Sequence, residues 1–396
     1  MVDEASKPQS LWTRSLLTVV ATQLIFGYSA STFLLMPKYL STVLGASPSQ
    51  LGRVGALPSF AAVLAAPFVG SWLDTIGRKP LIALGTSLAA ICAALWLCVD
   101  HLGPLVYVLQ LGNGLAFMLT FNASGTLVTD KAPPERLGQA IGIFGAANMS
   151  MSAIAPAAAE ALVARAGWRA AFALAACAAL CALALSRRID EPARNPGHAP
   201  RRPSLAPTLA LVRRLSPQAF TMVTCGAAYG AVFTYYQPFV LSQGAKHVSA
   251  FFIGFTLAAL ATRLGLGSLP DRLGRQRVAL GSYAFYACTV LAMTQLLPSR
   301  LFVLGLLFGC AHGFFYPALN ALCVEQTRPE QRGRVMTLVN GSFQLGNMSS
   351  VLAFGWVAER YGYPRVFVLA AAITCLGLAA LYGSSTRSPA RDPSQA

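Results

Sequence analysis

Two short charged stretches share one pattern of residue types. Gly70, Asp74, Gly77 and Arg78 recur at the same spacing as Gly267, Asp271, Gly274 and Arg275, 197 residues further on. A carboxylate such as Asp74 or Asp271 can accept hydrogen bonds from a helix N-terminus and meet its positive dipole. Gly77 and Gly274 permit a tight turn, and Gly70 and Gly267 permit a neighbouring helix to approach closely. Arg78 and Arg275 can pair with carboxylates or phosphates. Charges that only held a loop on one side of a membrane would need arginine alone, without the glycine and aspartate spacing.

The other candidate groups stand singly. Arg263 lies eight residues before Asp271, about 12 Å further along a helix, where a charge inside an apolar stretch is expensive. It reads equally as a ligand for an anionic or zwitterionic solute and as a group that bonds helix carbonyls or snorkels to the surface. His312 has the chemistry of proton transfer, but a hydrogen bond to a neighbouring helix is the commoner use. Asp and Glu are absent from the middle of every apolar run: Asp100 and Glu160 sit near outer ends, Asp130 and Glu325 near inner ends. Lys131, Glu135 and Arg136, with Glu325, Glu330 and Arg332, read as companion pairs in two further loops. The nine cysteines fall within apolar runs and form no CxxC or Cys/His cluster. They read as small buried apolar side chains, and neither a metal nor a cofactor is expected.

The elements that must hold these groups follow from composition. Of 396 residues 55% are hydrophobic and 11% charged, far below the roughly 25% charge of soluble domains. Mean hydropathy is +0.56, so lipid solvates most of the surface. Twelve apolar segments are legible, near 12–36, 50–72, 80–98, 104–129, 139–162, 168–186, 218–241, 250–269, 278–297, 301–324, 335–358 and 364–382. The first is too long for a signal-peptide core, and Asp3 and Glu4 spoil its basic flank. With both termini inside, 21 Lys and Arg fall on the inner side and 7, including Lys38, on the outer side. That asymmetry predicts cytoplasmic termini. It also assigns the net charge of +16 to loop retention rather than to nucleic acid. Gly305, Gly309 and Gly313 form a small-residue stripe suited to close helix packing. The Pro- and Arg-rich stretch 187–217, which contains His198, reads as a cytoplasmic linker. It leaves a first six-helix bundle at 1–186 and a second, with a short tail, at 218–396.

The halves also match elsewhere. Pro134, Glu135, Gly138, Gly167, Phe172 and Leu174 correspond to Pro329, Glu330, Gly333, Gly362, Phe367 and Leu369, 195 residues on. Two motifs at nearly one offset indicate a duplicated six-helix unit, a known transporter plan. With the repeated G-x-x-x-D-x-x-G-R loop, the chain resembles the major facilitator superfamily over nearly its whole length. The resemblance implies an all-α membrane protein of two pseudo-symmetric bundles and alternating access to a central site. It implies that the repeated loops form a cytoplasmic latch that breaks and reforms during the cycle. It also implies that segments 1, 4, 7 and 10 line the cavity, flanked by 2, 5, 8 and 11.

Polar groups within the segments agree with that layout, because such groups are costly against lipid. The cavity candidates are Gln23, Tyr28, Asn113, Asn122, Asn148, Tyr229, Gln237, Arg263, His312, Tyr316, Asn320, Asn340 and Gln344. Tyr235 and Tyr236 read as cavity wall or as an interfacial belt. Helix 4 lacks the arginine of the family's proton-coupling motif, and segment 5 keeps Gly142 and Pro156 of the exporter motif. In that motif Met151, Ala155, Ala159 and Glu160 replace the remaining glycines. The reading is secondary transport of a small organic solute with a lean to export, most like bacterial sugar and drug efflux members. The alternatives are import of an anionic or zwitterionic metabolite and a non-transporting membrane sensor. A membrane enzyme would need clustered catalytic groups near one interface, which the sequence does not show. Protons are a candidate coupling ion, the lipid bilayer is the solvent, and a monomer is expected. Arg outnumbers Lys by 25 to 5, which points to a GC-rich bacterium and its inner membrane.

Overall fold

The computed structural model describes residues 13–133, 136–191, 211–267, 269–327 and 331–386. Glu135, Glu330, His198 and most of the linker lie outside the described residues, as does the side chain of Asp271. The described chain is helical throughout its regular elements: α1 Arg14–Thr32, α2 Met36–Thr42, α3 Pro48–Thr75, α4 Arg78–Leu95, α5 Pro104–Lys131, α6 Leu137–Ser186, α7 Ser216–Ser242, α8 Ser249–Gly265, α9 Leu269–Leu273, α10 Arg275–Ala292, α11 Leu301–Glu325, α12 Arg332–Tyr361 and α13 Tyr363–Thr386. Each of the twelve apolar segments is therefore a helix or most of one. The 50-residue α6 holds segments 5 and 6, because Gly167 breaks it at φ 78°.

Eight of these stretches are long and apolar enough to cross a membrane. The shorter α8 and the more polar α7 and α12 are not among them. α7 carries Gln218, Thr221, Thr224 and Gln237, and α12 carries Asn340, Gln344 and Asn347. Polar helices are the ones that a solute path needs and lipid does not.

By internal packing the chain divides into two units, 1–45 with 60–203 and 46–59 with 204–396. The first turns of α3 thus pack with the second unit while the rest of α3 belongs to the first. Within unit 1, α1 packs on α6 and α4 on α5; within unit 2, α7 packs on α12 and α10 on α11. These are equivalent pairs under the sequence repeat. The backbone repeats as well. Among the described residues, positive φ occurs at Gly45 and Gly244, Gly77 and Gly274, and Gly167 and Gly362. These are three pairs, each at an offset close to that of the sequence repeat. Side chains rarely adopt that conformation, so the duplication is written into turn geometry as well as residue identity.

The glycine stripe works as expected. A Cβ at Gly305 or Gly309 would strike the carbonyl oxygen of Phe251 or Phe255, and one at Gly313 would strike Thr262. The stripe lets α11 lie backbone to backbone against α8, which dispersion favours where the hydrophobic effect cannot drive helix association. The cysteines are all unbridged, but only Cys92, Cys225 and Cys323 are buried, while Cys98, Cys177, Cys181, Cys288 and Cys375 are exposed on the bundle surface. The expectation of buried cysteines fails for those five because an apolar side chain costs nothing against lipid.

Candidate functional site

Unit 2 gathers the larger share of the candidate cavity residues. An aromatic cluster surrounds the His312 ring: Tyr229 at 5.3 Å, Tyr316 at 5.4 Å, Phe255 at 5.9 Å and Phe343 at 6.3 Å between centroids. Tyr316 donates its hydroxyl to Asn340 Oδ1 at 2.5 Å, and Asn320 Nδ2 donates to the Tyr316 carbonyl at 2.8 Å. Beside this cluster lies a cleft of about 440 Å³ lined by Thr262, Arg263, Gly267, Tyr316, Asn320 and Met336. Two buried polar atoms here, His312 Nδ1 and Asn320 Oδ1, have no hydrogen-bond partner among the described residues. Such atoms are rare in folded proteins and ask for an explanation.

Arg263 is shallower than its sequence position indicates. α8 stops at Gly265, and the chain turns through Leu266 and Gly267 into the short α9. Arg263 therefore occupies the last turn of α8 instead of a point about 12 Å up a continuous helix. Gln237 is fully buried in α7 and donates to the Phe233 carbonyl at 3.4 Å. Tyr235 and Tyr236 are both fully buried and donate to the carbonyls of Val351 and Val248, which rules out an interfacial belt. Gln344 is half-buried on α12. Asn347, outside the candidate set, donates to Ser59 Oγ at 2.8 Å.

Unit 1 brings together fewer of the candidates. Gln23 on α1 donates to Asn148 Oδ1 on α6 at 3.0 Å, while Gln23 Oε1 is buried without a partner among the described residues. Asn113 donates to Gln110 at 3.2 Å, and Asn122 donates to the carbonyl of Met118 at 2.8 Å on its own helix. Tyr28 is half-buried. The most buried charges in the described chain are not in the candidate set. Lys38 on α2 and Glu160 on α6 form an ion pair with side chains 11% and 3% exposed. Lys38, read above as an outer-loop charge, is inside the bundle because α2 extends the first helix to Thr42.

The repeated loops show equivalent ion pairs. Arg78 Nε donates to Asp130 at 3.1 Å, and Arg275 meets Glu325 at 3.5 Å. Each joins a loop arginine to a carboxylate at the inner end of α5 or α11. The Glu191 carboxylate also accepts from the Arg78 backbone N–H at 2.6 Å, capping α4. Lys131 instead donates to the Ser15 hydroxyl. Gly77 and Gly274 make the predicted turns at φ 104° and 91°. Two expectations are not met in this conformation. Gly70 faces open space, and a Cβ at Gly267 would meet only the Arg263 carbonyl of its own chain segment at 2.6 Å. Asp74 is exposed and has no hydrogen-bond or ion-pair partner among the described residues, so it caps no helix here.

Helix pairs repeated across two units, helices long and apolar enough to cross a membrane and paired charges at the repeated loops define a multi-pass membrane transporter. The family model of the Major Facilitator Superfamily matches residues 18–299 and 244–396, and the chain belongs to that superfamily. It is a secondary transporter. It is 25% identical to the multidrug resistance protein MdtG of Serratia proteamaculans over 96% of this chain and 94% of that one. The MdtG of Yersinia enterocolitica is 24% identical over 97% and 96%. Among solved structures, nucleoside transporter NupG superposes with a TM-score of 0.76 at 15% identity, over 95% of this chain and 100% of that one. An auto-inhibited POT family peptide transporter gives 0.75 at 14% identity, over 97% and 99%.

Proposed function

We propose that this chain exports small organic solutes from a bacterial cytoplasm across the inner membrane, and that the cleft beside Arg263 receives them. The orphaned His312 Nδ1 and Asn320 Oδ1 carry this reading, with 7% and 9% exposure and aromatic faces around them. A solute with a ring in this cleft stacks on Tyr316, a donor on it satisfies Asn320 Oδ1, Arg263 attracts an acidic group, and His312 Nδ1 lies behind Tyr316 in the aromatic cluster. Gln237, Asn340 and Gln344 of unit 2 serve the same solute during the cycle, and Gln23, Tyr28, Asn113, Asn122 and Asn148 are the candidates for solute contact within unit 1. Likeness to relatives named for multidrug resistance supports export. The chain acts as a transporter rather than an enzyme or a silent sensor, as a monomer, with protons as its coupling ion. Gly70, Asp74, Gly77 and Arg78, with Gly267, Asp271, Gly274 and Arg275, form the latch in a different conformational state, since Asp74 has no partner among the described residues in this one.

The test compares cells with and without the protein, loaded with anionic calcein or cationic ethidium. Faster calcein loss with the wild type, and much less with Arg263→Ala, is the expected result. Equal loss with and without the protein counts against export. Faster uptake of an external anionic metabolite would favour the import reading, which Arg263 also accommodates.

A further inference from the structure

Lys38 and Glu160 are the only buried Lys, Arg, Asp or Glu side chains among the described residues. They come from separate elements. Lys38 follows the 3₁₀ turn Phe33–Leu35 that links α1 to α2. Glu160 stands on α6, seven residues before the Gly167 break, about 10 Å from that end. Ala155 and Ala159, on the adjoining face of the same helix, are fully buried. Pro156 within this helix deprives the Ser152 carbonyl of its donor and gives the segment a hinge one turn from the pair. Removing two charges from water costs more than their attraction commonly returns, so apolar residues would hold these helices at least as well. Ionisable groups kept inside a membrane bundle usually mark an ion pathway.

We propose that Glu160, paired with Lys38, is the proton-binding site of this transporter. The inference rests on the reading above that protons are the coupling ion. In the state seen here Glu160 is a carboxylate held by the Lys38 ammonium. A hydronium ion arriving from the outer side gives its proton to a Glu160 oxygen and leaves as water. An O–H bond forms, and the ion pair becomes an ammonium beside a neutral acid. The pair's net charge rises from zero to one, which an apolar interior disfavours, so the protonated form selects a conformation in which Lys38 and Glu160 separate. Binding and conformation are then linked in both directions. The remaining ionisable groups at this end are few. Tyr39, buried, donates to the Val99 carbonyl at 3.0 Å. Asp100 and His101 pair with each other at 77% and 81% exposure. Arg165 and Arg169 are exposed. None of them replaces Glu160 as a buried carboxylate.

Two measurements test this with purified full-length protein in lipid. The first is infrared difference spectroscopy from about pH 3 to 9, without any solute. The wild type is expected to show a titrating carboxylic-acid band that is missing in Glu160→Gln and in the charge-neutral pair Lys38→Met/Glu160→Gln. Spectra of wild type and variants that coincide over that range overturn the proposal, whatever the fate of the transport reading. The second uses proteoliposomes and ethidium. A gradient of one pH unit should drive about tenfold accumulation in one-proton antiport. The double variant is expected to lose that accumulation while still exchanging ethidium at equal pH. Loss of both activities, or of neither, marks a structural pair and overturns the proposal. If ethidium moves under no condition, the export reading fails on that probe and the infrared result alone decides.

Discussion

The Glu359 carboxylate, in the last turn of α12, accepts the backbone N–H of Ser49 at 3.1 Å and the Ser47 hydroxyl at 3.3 Å. It thereby caps the first turn of α3, whose orphan N–H groups have no partner within the helix. Next to it a Cβ at Gly355 would strike the Pro48 carbonyl, and one at Gly52 would come within 2.6 Å of the Val351 carbonyl, so both glycines let the two helices approach closely. This stitching explains why the first turns of α3 group with unit 2. Glu359 lies beyond the apolar run 335–358. Hydrogen bonding from Ser49, then Ser47, together with the charge of Arg53, holds its carboxyl below the ordinary carboxylate range.

The sign of the pH effect follows. A depressed pKa means that the folded state favours the ionised form. The stabilisation is complete above the ordinary glutamate value, about 4.3, and is lost as pH falls through the depressed value. Glu359→Gln should lower the melting temperature of the purified protein at neutral pH. The gap from wild type should close on acidification below about pH 4. A gap that persists unchanged in acid would mean that the carboxylate charge is irrelevant to the cap.

Much of this arrangement was legible in the sequence where spacing carried it. The repeat placed Gly77, Gly274, Gly167 and Gly362 at equivalent turns, and all four have positive φ. Gly45 and Gly244 escaped notice because the residues around them differ, although the backbone they serve is the same. The Arg78–Asp130 and Arg275–Glu325 pairs were half visible: the arginines belong to the motif, but their partners lie about fifty residues away and only packing brings them near. Lys38 was misplaced because a lone lysine after an apolar run resembles a loop boundary, whereas the buried Leu35, Met36, Tyr39 and Leu40 around it continue the helix. The end of α8 at Gly265 was hidden by Leu264 and Leu266, which keep the run apolar through the turn.

The glycines separate packing from switching. Gly309→Val would drive a side chain into the Phe255 carbonyl, and overpacking of this kind costs about 1–3 kcal/mol. Its melting temperature should fall by several degrees. A Cβ at Gly70 meets nothing in this conformation, and Gly70→Leu should melt like the wild type. If Gly70 admits a neighbour in the latched state, the same variant should transport several-fold more slowly at unchanged apparent affinity. Gly70→Leu with wild-type turnover would remove Gly70 from the latch.

The two loop arginines should differ in degree. Arg78 and Asp130 are 24% and 32% exposed, whereas Arg275 and Glu325 are 35% and 41% exposed and further apart. Exposed pairs contribute about 0–1 kcal/mol, so each double-mutant cycle should give a small coupling energy, with Arg78 and Asp130 the larger. Denaturation of Arg78→Gln, Asp130→Asn and their combination, set beside Arg275→Gln, Glu325→Gln and theirs, measures it. A larger coupling at Arg275 would show that exposure does not govern the pair.

His312 makes the sharpest demand on the proposed site. A buried nitrogen without a partner costs about 1–3 kcal/mol relative to an apolar atom in its place. The ring is surrounded by Tyr229, Phe255, Tyr316 and Phe343, so phenylalanine fits the same space without a polar atom. His312→Phe should therefore raise the melting temperature of the solute-free protein. If the orphaned nitrogen is held for a solute, the same change should weaken transport, a trade of function for stability. Parallel melting curves and calcein efflux on one preparation decide the matter. A stabilised variant with unimpaired efflux would leave the nitrogen without a functional role and would move the solute site away from His312.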